Sequence, residues 1–163
     1  MIGHLRRWGR ARSGELLEGG DESAGLVTGM GTDTGEVVRV QLYGLPYDCW
    51  SCGEVSVPLV ALALGEEPND VEDLVICDDD ETLGLADRLL DADVRKRHRL
   101  GSIRPRYTRA SGTTYLANEC AFCRAVFGRF PLFHEALPEA LATGGLGSLV
   151  LLSDLLVRSG SLH

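Results

Sequence analysis

Lysine is nearly missing from this chain: Lys96 stands alone among sixteen basic residues, and the other fifteen are arginine. With many Gly, Ala, Leu and Val, that skew looks like the product of a GC-rich bacterial genome. No apolar run reaches the length of about 18 residues that a membrane span needs, so no span is expected. Arg6, Arg7, Arg10 and Arg12 near the N-terminus have no apolar stretch behind them, which argues against a secretory signal. A cytoplasmic location is expected. Catalytic signatures are also missing. There is no Gly-x-Ser-x-Gly elbow and no Walker-type loop. His4, His98, His134 and His163 have no metal or triad spacing, and His134-Glu135 lacks the second histidine of a zincin. Net charge is -8 with a pI of about 4.9, which argues against a generic nucleic-acid-coating protein. An apolar content of 44% over 163 residues suffices for one buried core.

What is present is thiol. Five cysteines include two Cys-x-x-Cys pairs, Cys49-Trp50-Ser51-Cys52 and Cys120-Ala121-Phe122-Cys123. Four thiolates complete a tetrahedral zinc shell, and the two-residue spacing curls both sulfurs of a pair toward one point. Gly53 can supply a positive φ just after the first pair. Disulfides are the alternative, as is a thioredoxin-like use of Cys49 and Cys52. The latter needs a helix after the first thiol, whereas Gly53 to Val60 reads as strand. A closed shell of four thiolates leaves no open position for water, so any zinc is expected to be structural.

Residues 1–34 read as a leader, with a weak helical pattern over Leu5–Leu17 and loop chemistry from Gly29 to Gly35. Met30 is an alternative start. Residues 35–163 read as one domain. Alternation from Glu36 to Tyr43 predicts a half-buried strand, and Ser56–Leu64 predicts a second strand leaving the first pair. An insert at about 65–101 carries a short strand at Asp73–Cys77 and a helix over Glu81–Val94. Ser102–Arg109 and Thr114–Asn118 predict a hairpin that delivers Cys120, and Ala125–Phe133 a strand leaving the second pair. From about residue 133 the chain reads as helical, interrupted at Gly144–Gly147, with a last helix over Ser148–Val157.

This layout resembles a zinc ribbon, a family in which two cysteine knuckles on β-hairpins share one zinc. The resemblance covers roughly residues 37–64 and 103–133 and gives Cys49, Cys52, Cys120 and Cys123 the ligand roles. The 67 residues between Cys52 and Cys120 exceed the insert of compact ribbons, and Arg124 stands where Gly is common. The stretch Tyr115–Cys123 is also similar to uncharacterised bacterial proteins with Cys-Trp-x-Cys and Asn-x-Cys-x-x-Cys knuckles. That similarity implies no activity.

Two charged segments stand apart. Asp78, Asp79 and Asp80 could bind magnesium, but a helix cap is the plainer reading. Between Val94 and Arg109 lie Arg95, Lys96, Arg97, Arg99, Arg104, Arg106 and Arg109, with Tyr107 among them and no acid. The rest of the chain holds nine basic and 24 acidic residues, so a positive strip sits on an acidic body. The strip could bind nucleic acid or an acidic protein, or simply solvate a helix end. Cys77, the fifth thiol, reads as a core residue.

The expected fold is α+β, with an antiparallel zinc-ribbon-like core, an inserted helix and C-terminal helices. The expected function is a non-catalytic adaptor with structural zinc and a protein partner. A nucleic-acid-binding module using 95–109 and a metal-dependent enzyme at the acidic insert are the alternatives.

Overall fold

A computed structural model describes residues 36–109 and 111–158. The expected leader and its weak helix lie outside the described residues. In chain order the strands are β1 (Val37–Gly44), β2 (Tyr47–Asp48), β3 (Val55–Ser56), β4 (Leu59–Leu64) and β5 (Val75–Ile76). Two helices follow, α1 (Asp80–Arg88) and α2 (Ala92–His98), then the strands β6 (Leu100–Thr108) and β7 (Thr113–Cys120). A π-helical segment over Phe130–Ala136 runs into α3 (Leu137–Gly144), and β8 (Val150–Arg158) closes the series. The result mixes α and β, and all strand pairs are antiparallel.

β1 forms where the sequence alternates, and it is the hub of the main sheet, whose order is β5-β4-β1-β8. Val40 lies opposite Leu64 on one side and Leu155 on the other. The two faces of the sheet bury separate clusters. On one, Val40, Leu42, Leu62 and Leu152 pack with Leu83, Ala86 and Leu90, and with Leu100 and Ile103 of β6. On the other, Tyr43, Ala61 and Ala63 pack with Phe127, Leu132, Phe133 and Leu137. Cys49 and Cys120 belong to this second cluster, so the cysteine region is built into a core.

Several local expectations change. Ser148–Val157 is not a helix: Val150–Arg158 is strand β8. A short apolar run fits either state, and the open edge of β1 offers it a continuous ladder of partners. Ala125–Phe133 is not a strand either. A single bridge, Glu119 to Val126, leaves the second pair, and the chain then turns into the Phe130–Ala136 segment. Pro131 lacks the N–H that a strand ladder uses and suits a helix start. The helix expected over Glu81–Val94 is broken after Arg88 because Asp91 starts α2, accepting the Val94 N–H at 2.7 Å. The expected strand at Asp73–Cys77 shrinks to Val75–Ile76. Among the described residues no helix is long and apolar enough to cross a membrane.

Asp79 caps α1. One carboxylate oxygen accepts the N–H groups of Glu81 and Thr82 at 2.8 and 2.9 Å, and the other accepts the Thr82 hydroxyl. The Thr82 amide leads the hydrogen bonds that, against partial burial, hold the Asp79 carboxyl below its usual pKa. A depressed carboxylate stabilises the fold above its unfolded pKa, about 4, and that contribution disappears as pH falls through the folded value. Asp79→Ala should cost about 1 kcal/mol near neutral pH. The gap from the unsubstituted protein should close on acidification, as read by urea midpoints across a pH series.

Candidate metal centre

The two cysteine turns share one backbone plan. In the first, the Cys49 N–H donates to the Glu54 carbonyl at 3.0 Å, and the Gly53 N–H returns to the Cys49 carbonyl at 2.8 Å. In the second, the Cys120 N–H donates to Ala125 at 2.8 Å, and the Arg124 N–H returns to Cys120 at 3.1 Å. Both turns use a positive φ directly after the second cysteine, 75° at Gly53 and 62° at Arg124. Glycine takes that conformation freely, whereas arginine strains against its own Cβ. Arg124→Gly should therefore stabilise the protein by about 0.5–1 kcal/mol, less what glycine adds to unfolded-chain entropy. A higher denaturation midpoint with metal content unchanged is the expected result.

Short strands aim the turns at one another. β2 and β3 flank the first, with Tyr47 opposite Ser56 and Asp48 opposite Val55. β7 ends on Cys120 itself. The four sulfurs of Cys49, Cys52, Cys120 and Cys123 lie within 4.8 Å of one another. Cys49 and Cys123 stand 3.5 Å apart, and Cys52 and Cys120 3.8 Å apart. A tetrahedral ion with metal–sulfur bonds of about 2.3 Å, the value for zinc, requires sulfurs about 3.8 Å from one another. The four residues named from sequence are thus brought together, at a spacing that fits a metal ion.

The thiols also suit a cation. Burial raises Cys49, but the N–H groups of Cys52 and Ser51 and the neighbouring thiols Cys123 and Cys120 outweigh it, bringing Cys49 down to about 7. For Cys52 the Glu54 N–H lowers the pKa, but burial and the thiols of Cys123, Cys49 and Cys120 raise it to about 12. Within the first pair, Cys49 is thus the more acidic thiol and Cys52 holds its proton more tightly. A metal ion replaces the thiol protons and releases them on binding. The Phe122 N–H donates to the Cys120 sulfur at 3.4 Å, where it would offset thiolate charge. Cys49 and Cys120 are buried, while Cys52 and Cys123 are exposed.

Residues to which the sequence assigned no role hold the centre in place. The buried Asn118 side chain donates to the Leu59 carbonyl and accepts the Leu59 N–H, both at 3.0 Å. It stands in for a strand pair between the hairpin and the main sheet. The Ser56 hydroxyl accepts the Ala121 N–H at 3.1 Å and donates to the Arg99 carbonyl at 2.9 Å. The Trp50 indole N–H crosses from the first turn to the Val126 carbonyl at 3.1 Å. Asn118 was detectable as a polar residue two places before Cys120. Ser56 carries no such signal, because its partners are distant backbone groups.

The other candidates are placed differently. Cys77 is buried in the first core cluster, and burial, then Asp79 and Asp78, pushes its thiol up to about 12. Asp80 accepts the Leu116 N–H at 3.0 Å and pairs with Arg129. Asp79 and Asp80 are thus engaged in structural contacts, and the metal-competent cluster among the described residues is the cysteine set. The basic strip is divided. Arg95 pairs with Asp87 and also donates to the Gly101 carbonyl, and Arg106 pairs with the buried Glu119. Lys96, Arg97, Arg99, Arg104, Tyr107 and Arg109 are exposed. Arg99 lies over the Phe122 ring at 6.0 Å.

No protein-family model matches this chain, and no curated protein or solved structure matches it.

Proposed function

We propose that this protein is a non-catalytic, zinc-ribbon-like binding module, clipped by one structural zinc ion on Cys49, Cys52, Cys120 and Cys123. The observation that carries this reading is the sulfur spacing: a four-thiolate shell of these dimensions suits zinc and would leave no site for water or substrate. Unbridged thiols suit a reducing, cytoplasmic compartment. A protein partner is the favoured ligand. Trp50 and Phe122, 74% and 49% exposed, stand on the two cysteine turns with Arg99 beside Phe122. Aromatic and arginine side chains supply most of the energy in protein interfaces.

A second reading rests on a specific feature. Lys96, Arg99, Leu100, Ala121 and Phe122 line, with Arg95, a depression of about 250 Å³ beside the second turn. Cations next to an exposed aromatic ring suit single-stranded nucleic acid, with phosphates on the cations and a base on the ring.

One experiment addresses both. Protein purified without added metal should contain one zinc per chain by elemental analysis; a metal-free or iron-loaded protein would overturn the zinc assignment. The same protein is then applied to a single-stranded DNA column at low salt. Retention that is lost in Lys96→Ala/Arg99→Ala would favour nucleic acid, and flow-through would leave the protein-partner reading.

A further inference from the structure

β8 is the outer strand of the main sheet, and β1 is its one ladder partner among the described residues. Such an edge presents unpaired N–H and C=O groups to another chain. A register shift beside Leu152 disturbs its first half, but Ser153 to Arg158 follow β1 without interruption. In that regular half, Asp154, Leu156 and Arg158 share one face of the sheet, and all three are exposed. Leu156 is 76% exposed, more than Trp50 or any other large apolar side chain described. Leu155 and Val157 share the opposite face and are half-buried.

We propose that two copies of this chain associate through antiparallel pairing of β8 with β8, with Leu156 on the twofold axis. Three steps lead to that register. Directly opposed residues of an antiparallel ladder lie on the same face, so the axis must pass through a residue and not between two. Centring on Asp154 would oppose two carboxylates, and centring on Leu155 would set each Asp154 against a leucine. Centring on Leu156 opposes Asp154 to Arg158 of the partner subunit, and does so twice by symmetry. It also opposes Leu155 to Val157 twice on the other face, and lays the two exposed Leu156 side chains against each other.

The order acid, apolar, base is its own complement when reversed, which is what an isologous interface needs. Charged edge residues usually discourage strand pairing. Here they discourage the other registers and favour this one. Within the chain, Arg39 already bonds Asp154 at 2.9 and 2.6 Å, so each carboxylate would lie between two guanidinium groups. The interface is independent of the cysteine centre and does not rest on its being loaded.

Five opposed residues per strand make a small interface, so the expected Kd is on the order of 100 μM. Sedimentation equilibrium on the full chain, from about 10 μM to about 1 mM, spans that value. The expected result is monomer at the low end and dimer at the high end. Arg158→Asp opposes two acids at each flank and should raise Kd at least about tenfold. Leu156→Lys should do the same by placing two cations on the axis. Both positions are exposed, and unchanged circular dichroism would show the fold intact. A protein that stays monomeric throughout overturns the proposal, as does a dimer that both variants leave unchanged. A dimer weakened by Leu156→Lys but not by Arg158→Asp overturns the register.

Discussion

Cys120→Ala is expected to abolish stoichiometric metal binding and to destabilise the fold by roughly 3 kcal/mol or more, because structural-metal binding energy is folding energy. Two effects add. The shell loses one of its four donors, and three thiolates hold an ion less tightly. The residue also sits at 1% exposure in the second core cluster, where the thiol fills volume that a methyl group leaves empty. The loss should be uneven. The first cluster, over Val40, Leu83 and Ile103, contains none of the four cysteines, so its packing is expected to outlast loss of the ion. Chelation of the unsubstituted protein should therefore lower the melting temperature and leave a partly folded chain. Hydrogen exchange should rise first around Phe127 to Leu137 and later in α1. Equal melting temperatures with and without chelator would refute the coupling.

Gly101→Ala is expected to be nearly as damaging, although Gly101 supplies no ligand atom. A Cβ there would stand 2.0 Å from the Glu119 carbonyl oxygen and 3.0 Å from the Cys120 carbonyl carbon. Those are backbone atoms and cannot rotate away. The hairpin register slips between Leu100 and Ile103, where Gly101 runs against the backbone of Glu119 and Cys120. An added methyl must push that backbone, and with it a metal ligand, for a cost of about 3 kcal/mol, the upper end for overpacking. Metal affinity should fall together with stability. Gly147→Ala is the control: its Cβ would meet nothing within 4 Å, so its effect should stay within about 0.5 kcal/mol. Equal stabilities for the two variants, by urea denaturation, would contradict the close approach.

The parts of this molecule legible in sequence are those set by chemistry within a few residues. The cysteine turns, the alternation of β1, the β6–β7 hairpin and the cap at Asp79 all belong here. The parts that were not legible depend on distant partners. β8 has an apolar run that would also suit a helix, and only the open edge of β1 decides the matter. Two of the seven cations of the positive strip are taken up for the same reason. Arg106 answers Glu119, whose carboxylate is 3% exposed, and Arg95 answers Asp87. Neither acid lies inside the run that made the strip conspicuous. Within the centre, the ligands were readable from spacing, whereas Ser56 and Trp50 were not, since each bonds backbone across the gap between the two turns.

The pairing of β1 with β8 has a consequence for synthesis. Arg39 and Asp154 are ion-paired across the sheet yet lie 115 residues apart. On the ribosome, β1 emerges before β8, and its outer edge must wait, unpaired, until the residues between the two have followed. Both cysteine turns leave the tunnel before β8 does. A metal ion taken up at that stage would hold β1, β4 and the β6–β7 hairpin together while the last strand is still being made. Metal supply would then set how long a sticky, half-built sheet is exposed to its neighbours, and starvation for the ion would appear first as aggregation of nascent chains.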